Sequence, residues 1–270
     1  MSPANQILVF DRALVRQRRD RAAAEFAAHN IIFEESAWHL LERLSGIRRD
    51  FETIIDLGAH EGAVARRLVE DKKRFVVAAD ISEKMLRNIT SSAVVADEEF
   101  LPFAANSCDL VVSNLSLHWV NDLPGTLVQI KNILRPEGLF LASVLGGQTL
   151  HELGNCLMEA EMTVTGGASP RLSPVLDLQT ASALLQHAGF ALPVTDQEAF
   201  TLTYPHIFAL MHDLRGMGET NAHIQRLRRP TRRAVFLEAA RLYQERFPAE
   251  DGGVSATFEV LFLHGWKAPS

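Results

Sequence analysis

Cysteine is scarce in this chain. Cys108 and Cys156 are the two thiols among 270 residues, and they lie far apart in no Cys-x-x-Cys spacing. A disulfide framework needs more thiols, and a thiolate metal site needs them closer together. The sequence therefore indicates neither kind of site, and it fits a reducing compartment.

Long apolar runs are also missing. No segment approaches the roughly 18 consecutive apolar residues of a membrane-spanning helix, and no secretory apolar core follows the start. Arginines crowd residues 10–21, yet Asp11 and Asp20 interrupt them, whereas transit peptides are poor in acidic residues. We therefore predict a chain without a cleaved leader or an integral membrane segment, which works in the cytoplasm of a bacterium, or in the mitochondrial matrix if the source is eukaryotic.

Positive charge is not in excess either. The formal net charge is -6, which predicts no nucleic-acid partner and no membrane-surface partner for the chain as a whole. Two segments are nevertheless rich in arginine. In the first, interleaved acids and helical spacing favour a solvated face over a partner-binding arm; its members are Arg12, Arg16, Arg18, Arg19 and Arg21. We interpret the second as a solvated loop and helix start, with a dock for an acidic partner such as an acyl carrier protein or an assembly intermediate as the alternative; its members are Arg226, Arg228, Arg229, Arg232 and Arg233.

The chain is organised around residues 53–62, Thr-Ile-Ile-Asp-Leu-Gly-Ala-His-Glu-Gly. An apolar run reaches Asp56, breaks at Gly58 and Gly62, and is followed by helix-forming residues, which predicts a strand, a tight turn and a helix start. Glycine lets a backbone approach a ligand closely, and a helix start offers free N–H groups. The segment predicts a nucleotide-type pocket, with tight strand-to-helix packing as the alternative.

Polar residues stand at the ends of three further predicted strands: Asp80 ends 74–80, Asp97 follows 93–96, and Asn114 follows 108–113. Because parallel strands bring their carboxyl ends to one edge of a sheet, we expect these residues, with their neighbours Ile81, Glu98 and Leu115, to line the pocket. Asp80 is placed to accept hydrogen bonds from two ribose hydroxyls, or else to cap the helix that follows. Asp97 is placed to accept from an adenine amino group.

Strands alternate with helices as far as residue 147. A helix over 125–134 ends in a Pro- and Gly-containing turn at 135–138, and a fifth strand covers 139–145. This alternation predicts an α/β fold with a parallel sheet. We expect a single domain: residues 1–50 form helices that pack over the mouth of the pocket, 51–147 form the pocket, and 148–270 complete the sheet and carry a helical cap.

Several features of residues 51–147 recur together in a known superfamily: Asp56-x-Gly58 with Gly62, Asp80, the segment 97–103, and Leu134-Arg135-Pro136-Glu137-Gly138. As a set they resemble the class I S-adenosylmethionine-dependent methyltransferases. That resemblance implies a Rossmann-like sheet of seven strands, with the last strand antiparallel, and S-adenosylmethionine as the cofactor. Its binding residues would be Asp56, Gly58, His60, Gly62, Asp80, Ile81, Asp97, Glu98, Asn114 and Leu115.

A narrower resemblance covers most of the chain. Its motifs are Phe10-Asp11-Arg12, the run 116–124, Gly146-Gly147 with Thr149-Leu150 and Glu152-Leu153, the run 213–219, and Gly265-Trp266-Lys267. They resemble the respiratory complex I assembly factors that act as protein arginine hydroxylases. The same core is similar to the malonyl-acyl carrier protein O-methyltransferases of biotin synthesis, but the 214–219 and 265–267 motifs favour the former.

The narrower resemblance implies an enzyme that modifies an arginine of a protein substrate, a complex I subunit, by methyl transfer or hydroxylation. Two alternatives stay open: a carboxyl O-methyltransferase that acts on a malonyl-acyl carrier protein or a small molecule, and a non-catalytic chaperone that binds S-adenosylmethionine. His60 departs from the superfamily turn, which has glycine there. Its side chain either crowds the methionine end of the cofactor or points to solvent.

Candidate catalytic residues follow the fourth strand. His118 and Trp119 lie where a substrate would enter; His118 is a candidate base or a residue that closes the pocket, and Trp119 either stacks on substrate or packs. The insertion 205–219 is the predicted substrate cap, with Tyr204, Asp213, Arg215 and Glu219 as candidate contacts to a peptide arginine. No His-x-Asp or His-x-Glu occurs, so we predict no conventional iron site.

Overall fold

The structure is a computed structural model, and it describes residues 8–250 and 252–269. The α-helices are α1 Arg12–Ala22, α2 Ile31–Ser45, α3 Ala63–Leu68, α4 Glu83–Leu86, α5 Leu123–Ile133, α6 His151–Thr165, α7 Leu178–His187, α8 Ile207–Met217 and α9 Arg233–Arg246. The strands are β1 Thr53–Leu57, β2 Phe75–Asp80, β3 Ser92–Val95, β4 Cys108–Asn114, β5 Leu134–Leu145, β6 Ala191–Tyr204 and β7 Val254–Trp266. Short 3-10 helices cover Phe26–Ala28 and Leu117–Trp119.

The strands form one seven-stranded sheet in the order β3-β2-β1-β4-β5-β7-β6. Neighbours from β3 to β5 pair in parallel, whereas β7 runs antiparallel to both β5 and β6. The predicted α/β fold with an antiparallel last strand is therefore confirmed. Strand order reverses beside β1, which opens a crevice at the carboxyl ends of β1 and β4.

Helices cover both faces of this sheet. On one face, α5 and α7 bury Leu127 and Leu185 against Phe140 of β5. On the other, α2, α3 and α9 bury residues such as Leu40, Leu68 and Tyr243. Because both faces are covered, the central strands are nearly continuous apolar runs. The crevice at their carboxyl ends is the place left for polar side chains.

The helix predicted to start after Gly62 is short, since α3 ends at Leu68 with Val69 as its C-cap. One predicted boundary was wrong. The turn expected at 135–138 lies inside β5 as a bulge: Leu134 pairs with Cys108, whereas Leu139 pairs with Leu110. Glu137 takes a positive φ of 61° at this bulge, so the strand continues through a Pro- and Gly-rich stretch.

Candidate functional site

The turn between β1 and α3 is shaped by left-handed backbone at Gly58, His60 and Gly62, with φ of 68°, 51° and 77°. The N–H of Gly58 donates to the carbonyl of Ala79 on β2 at 2.7 Å. A Cβ at Gly58 would lie 2.0 Å from Oγ of Ser116, so only glycine fits there. The turn therefore binds tightly to β2 and to the segment after β4.

Asp80 lies at the centre of the crevice and is fully buried. Its carboxylate accepts the N–H of Ser82 at 2.7 Å and the N–H of His60 at 3.0 Å. It also accepts Nη1 of Arg19 on α1 at 3.1 Å. The alternative in which Asp80 caps α4 was wrong, because Oγ of Ser82 caps that helix through the N–H of Met85.

Arg19 and Arg12 contradict the prediction that the first arginine-rich segment is a solvated face. Arg19 is only 1 % exposed, and its guanidinium contacts Asp80 and Glu98 at 3.1 Å and Oγ of Ser116 at 2.8 Å. Arg12 donates to Asp97 at 2.6 Å and also pairs with Glu98. Arg16 and Arg21 are exposed, as predicted.

Glu98 is the acidic centre of this arrangement. Burial alone would raise its pKa, but Arg12, Arg19 and the hydroxyl of Ser116 hold the pKa well below the ordinary glutamate value. Glu98 is therefore ionised, and its two oxygens are occupied by the chain's own donors. Glu98 was predicted from the sequence as a pocket residue, whereas its partners Arg12, Arg19 and Ser116 were not.

Asp56 and His60 are both buried beneath this charged layer. Oδ2 of Asp56 accepts the N–H of Ala65 at 2.9 Å, while Oδ1 has no partner. Burial raises the pKa of Asp56 to about 7. The His60 ring stacks on Phe26 at 5.6 Å and contacts Phe33 at 4.7 Å. The alternative in which His60 points to solvent was therefore wrong.

Burial also sets the charge of His60. Burial, together with the nearby positive charge of Arg19, lowers the pKa of His60 to about 3. The imidazole is therefore neutral at physiological pH. A neutral ring can stay between two phenylalanine rings, where an imidazolium would lose its hydration.

The remaining predicted cofactor residues are buried at the same edge but are tied into the fold. Nδ2 of Asn114 donates to the carbonyl of Phe33 at 2.9 Å, and its Oδ1 accepts from Oγ of Ser143 at 3.0 Å. Leu115 donates its N–H to the carbonyl of Ser143 at 3.0 Å. Ile81 directly follows Asp80 in the sequence and is buried. Their assignment as cofactor contacts stays a prediction.

In this arrangement the chain's own side chains occupy the crevice in which a nucleoside cofactor would bind. Ser116 lies directly over Gly58, Arg19 lies between Asp80 and Glu98, and the His60 ring fills the space between Phe26 and Phe33. The groups expected to receive ribose and adenine, Asp80 and Asp97, already accept arginine N–H groups. The acidic residues of a cofactor site are present, but the N-terminal segment closes it.

A second cluster joins residues from distant parts of the chain. Gly218 ends α8 with a φ of 81°, and the following Glu219 points to the 3-10 helix after β4. Nε2 of His118 lies 3.1 Å from Oε2 of Glu219, and Nε1 of Trp119 donates to both of its oxygens at 3.0 and 3.1 Å. The predicted catalytic pair and one predicted substrate residue therefore form one cluster.

Glu219 is buried and ionised. Burial would raise its pKa, but His118 and the indole N–H of Trp119 hold the pKa below the ordinary value. Nδ1 of His118 is buried without a partner. The cluster lines a cavity of about 50 Å³ together with Leu145, Thr149, Leu150, Leu172, Ser173, Val175, Thr220 and Asn221. A water needs about 10–15 Å³ by such a measure, so a small polar group has room here.

The other predicted substrate residues lie apart from this cavity. The hydroxyl of Tyr204 donates to Oδ2 of Asp213 at 2.8 Å, and Nδ1 of His29 lies 2.6 Å from Oδ1. Burial and the neighbouring Asp213 raise the pKa of Tyr204 above its ordinary value. Arg215 is exposed. These contacts join the N-terminal segment to α8, and a substrate role for Tyr204, Asp213 and Arg215 stays a prediction.

Neither a metal site nor a membrane-spanning helix is found among the described residues. Among residues 8–250 and 252–269, no group of three or more His, Cys, Asp or Glu side chains is placed to hold a metal ion. Across the same ranges, no helix is both long and apolar enough to cross a bilayer.

The sheet order, the glycine turn and the acidic residues at successive strand ends define the class I methyltransferase fold. A family model described as a methyltransferase domain matches residues 55–142. Among solved structures, the chain is similar to phosphoethanolamine N-methyltransferase 2 of Haemonchus contortus in complex with S-adenosylhomocysteine, with a TM-score of 0.58, 16 % identity, and coverage of 95 % of this chain and 60 % of that one.

Sequence relatives place the chain more narrowly. It is 41 % identical to the mitochondrial arginine-hydroxylase NDUFAF5 of Homo sapiens, across 96 % of this chain and 77 % of that protein. It is 33 % identical to a malonyl-[acyl-carrier protein] O-methyltransferase of Gallionella capsiferriformans, across 96 % and 92 % of the two chains. The chain belongs to the NDUFAF5 family of class I methyltransferase-fold proteins, which confirms the predicted relationship.

Proposed function

We propose that the chain binds S-adenosylmethionine at the strand-end crevice and modifies an arginine side chain of a protein substrate, as an assembly factor of respiratory complex I. The relatives named arginine-hydroxylase support the substrate, since they align over nearly the whole chain. The methyltransferase domain supports the cofactor. The sequence motifs that resemble complex I assembly factors support the partner.

One structural observation carries this proposal, namely the ionised carboxylate of Glu219 on the wall of a cavity. A carboxylate has about four acceptor sites, and the indole N–H of Trp119 is shared between both oxygens of Glu219. Acceptor capacity therefore remains for a planar guanidinium, which pairs with carboxylates through two parallel hydrogen bonds. No Lys or Arg is present among the described residues that line the cavity.

An apolar groove adjoins the cavity at Glu219. It has a volume of about 260 Å³ and shares His118 and Val175 with the cavity, and its other walls include Leu117, Leu176 and Leu184. A peptide could lay apolar residues in this groove while its arginine reaches Glu219. The groove therefore suits an arginine within a polypeptide better than a free amino acid.

The reaction is either hydroxylation or methyl transfer. The name of the relatives favours hydroxylation, and the fold family favours transfer. In either case the chain's own residues would hold the guanidinium at Glu219, with His118 and Trp119 fixing that carboxylate. The unpartnered Nδ1 of His118 is the group placed to exchange a proton with a bound substrate.

A carrier-linked O-methyltransferase is the second candidate, because relatives of that name are about one-third identical to the chain. Their substrate is a malonyl carboxylate, which is anionic. Glu219 would repel it, and the described cavity wall supplies no Lys or Arg to compensate. The site therefore favours a cationic substrate.

A non-catalytic chaperone is the third candidate. The crevice is filled by the chain's own side chains, so it needs no ligand to complete its packing. For the cellular site of action we propose the cytoplasm if the source is bacterial, and the mitochondrial matrix if it is eukaryotic, as in the relatives named mitochondrial.

Titration calorimetry with S-adenosylmethionine tests the cofactor. We expect saturable binding to the parent chain, and binding weakened roughly 10- to 150-fold in Asp80→Asn, because hydrogen bonds to a charged group contribute about 1.5–3 kcal/mol. Asp71→Asn is the matched control, since Asp71 is exposed in the loop before β2, at the opposite edge of the sheet. Absence of heat with the parent chain, at ligand concentrations up to solubility, would refute the cofactor.

A further inference from the structure

Helix α1 is attached to the crevice through charge rather than through apolar packing. Its buried residues are Val15, Arg19 and Ala22, and only two of these are apolar. Arg19 contacts a residue that ends β2, one that follows β3 and one that follows β4: Asp80, Glu98 and Ser116. One guanidinium thus joins the ends of β2, β3 and β4 across the crevice.

Arg12, one heptad earlier on the same helix face, repeats this role at the edge of the crevice. It pairs with Asp97 and Glu98, and its Nη1 donates to the carbonyl of Trp119 at 3.2 Å. The two arginines therefore face four carboxylates, since Nε of Arg12 also lies 3.7 Å from Glu99. These include Asp80, expected to bind ribose, and Asp97, expected to bind adenine.

Polar contacts and a small apolar cluster, in which Val15 packs with Phe10, Trp119 and Ala222, also join α1 to the body. Oγ of Ser82 donates to Asp20 at 2.6 Å, Arg18 donates to the carbonyl of Thr220 at 2.5 Å, and Asp11 pairs with Arg226 at 3.1 Å. Salt bridges of exposed residues contribute little net stability. Withdrawal of α1 therefore depends chiefly on Arg12 and Arg19 leaving their buried carboxylates.

We propose that α1 is a gate on the cofactor crevice, in which Arg19 and Arg12 occupy the carboxylates that a nucleoside would use, so that the cofactor binds only when α1 withdraws. This inference rests on the proposed function, since it assumes that S-adenosylmethionine is the ligand. Withdrawal exposes these carboxylates to a ligand that carries a positive sulfonium. Ligand binding therefore replaces the guanidinium groups of Arg12 and Arg19 by a cationic ligand.

Helix α1 also contacts the segments that carry the cluster of His118, Trp119 and Glu219. Arg18 binds the carbonyl of Thr220, next to Glu219, and Arg12 binds the carbonyl of Trp119. Opening α1 therefore releases contacts at both sites. The observed affinity for the cofactor equals the intrinsic affinity multiplied by the open fraction, so a gate closed about 99 % of the time weakens binding about 100-fold.

A disulfide between α1 and the start of α4 tests the gate directly. Asp20→Cys with Ser82→Cys replaces two side chains whose oxygens lie 2.6 Å apart, and the native thiols, Cys108 and Cys156, are buried. Titration with S-adenosylmethionine should show at least tenfold weaker binding in the oxidised form than in the same protein after reduction. Ser82→Cys alone should show no redox dependence.

Arg19→Gln gives an independent readout. Removing the guanidinium should strengthen S-adenosylmethionine binding at least tenfold, while Arg16→Gln, at an exposed position of the same helix, should leave it unchanged. Equal binding by the oxidised and reduced disulfide variants, with Arg19→Gln no tighter than the parent, would overturn the gate and leave the cofactor in place. No binding by any form would overturn the proposed cofactor and the gate together.

Discussion

Replacing Glu219 with glutamine should reduce arginine modification in the cell roughly 10- to 150-fold. The substitution keeps the shape of the side chain and an oxygen for the indole N–H of Trp119, but it removes the negative charge that would pair with guanidinium. Hydrogen bonds to charged groups contribute about 1.5–3 kcal/mol, which sets that range. The measurement is the modified fraction of each arginine-containing peptide of complex I subunits, in a deletion strain complemented with each variant.

Glu245→Gln is the matched control for this experiment, because Glu245 is an exposed carboxylate on α9 that pairs only with a surface arginine. It should restore the parent level of modification. Folding of Glu219→Gln is checked by its thermal melting temperature. A folded Glu219→Gln protein that restores full modification would show that the guanidinium does not bind at this carboxylate.

Replacing Glu98 with glutamine should lower the free energy of unfolding by about 3–5 kcal/mol, the usual cost of removing one partner from a buried ion pair. Two guanidiniums, Arg12 and Arg19, would then face a neutral amide in a buried site. Urea denaturation at neutral pH measures the loss. Asp97→Asn is the control, and its free energy of unfolding should fall by less than about 1 kcal/mol. Asp97 is partly exposed, and it pairs with Arg12 but not with Arg19.

The same substitution should change the response to acid. The folded pKa of Glu98 lies below its unfolded value, so its stabilising effect is present above the unfolded pKa and is lost as the pH falls below it. The parent chain should therefore lose stability steeply in acid, and Glu98→Gln should lose less. Parallel acid curves for the two proteins would show that Glu98 is not the ionised centre of the cluster.

Much of the crevice was predictable because its parts are local in sequence. An apolar run that ends in Asp56 or Asp80 is a buried strand followed by a polar end, and the parallel sheet brings those ends together. The glycine turn was equally clear, since Gly58 and Gly62 both take left-handed backbone. These features need no knowledge of distant contacts.

The closure of the crevice was not predictable in the same way. Buried arginines are rare, so an arginine-rich helix is normally interpreted as solvated. A signal was present nevertheless: Arg12, Val15, Arg19 and Ala22 recur at helical spacing and form the inner face of α1. That face is buried because its arginines pair with carboxylates at the strand ends. The partners of Arg19 lie 61 and 79 positions away in the chain, so the sequence around Arg19 does not reveal them.

The contact between His118 and Glu219 also depends on tertiary packing. The two residues are 101 positions apart, and the sequence suggested them for different roles. The turn at Gly218 after α8 brings Glu219 back to the segment after β4. His60 shows the opposite limit, because a residue in a left-handed turn can face either way, and only the packing of Phe26 and Phe33 around it settles the direction.

The modification of an arginine is the central claim, and the mass of complex I peptides tests it most directly. Arginine-containing peptides of complex I subunits are weighed from cells with and without the gene. In cells without the gene, one arginine-containing peptide should be lighter by one oxygen atom if the reaction is hydroxylation. It should be lighter by one CH2 unit if the reaction is methyl transfer, because the methyl group replaces a hydrogen. Identical masses of the arginine peptides in both kinds of cell would contradict the claim. If complex I also failed to assemble, that result would point to the non-catalytic chaperone. If the cells without the gene required biotin, it would point to the carrier-linked O-methyltransferase.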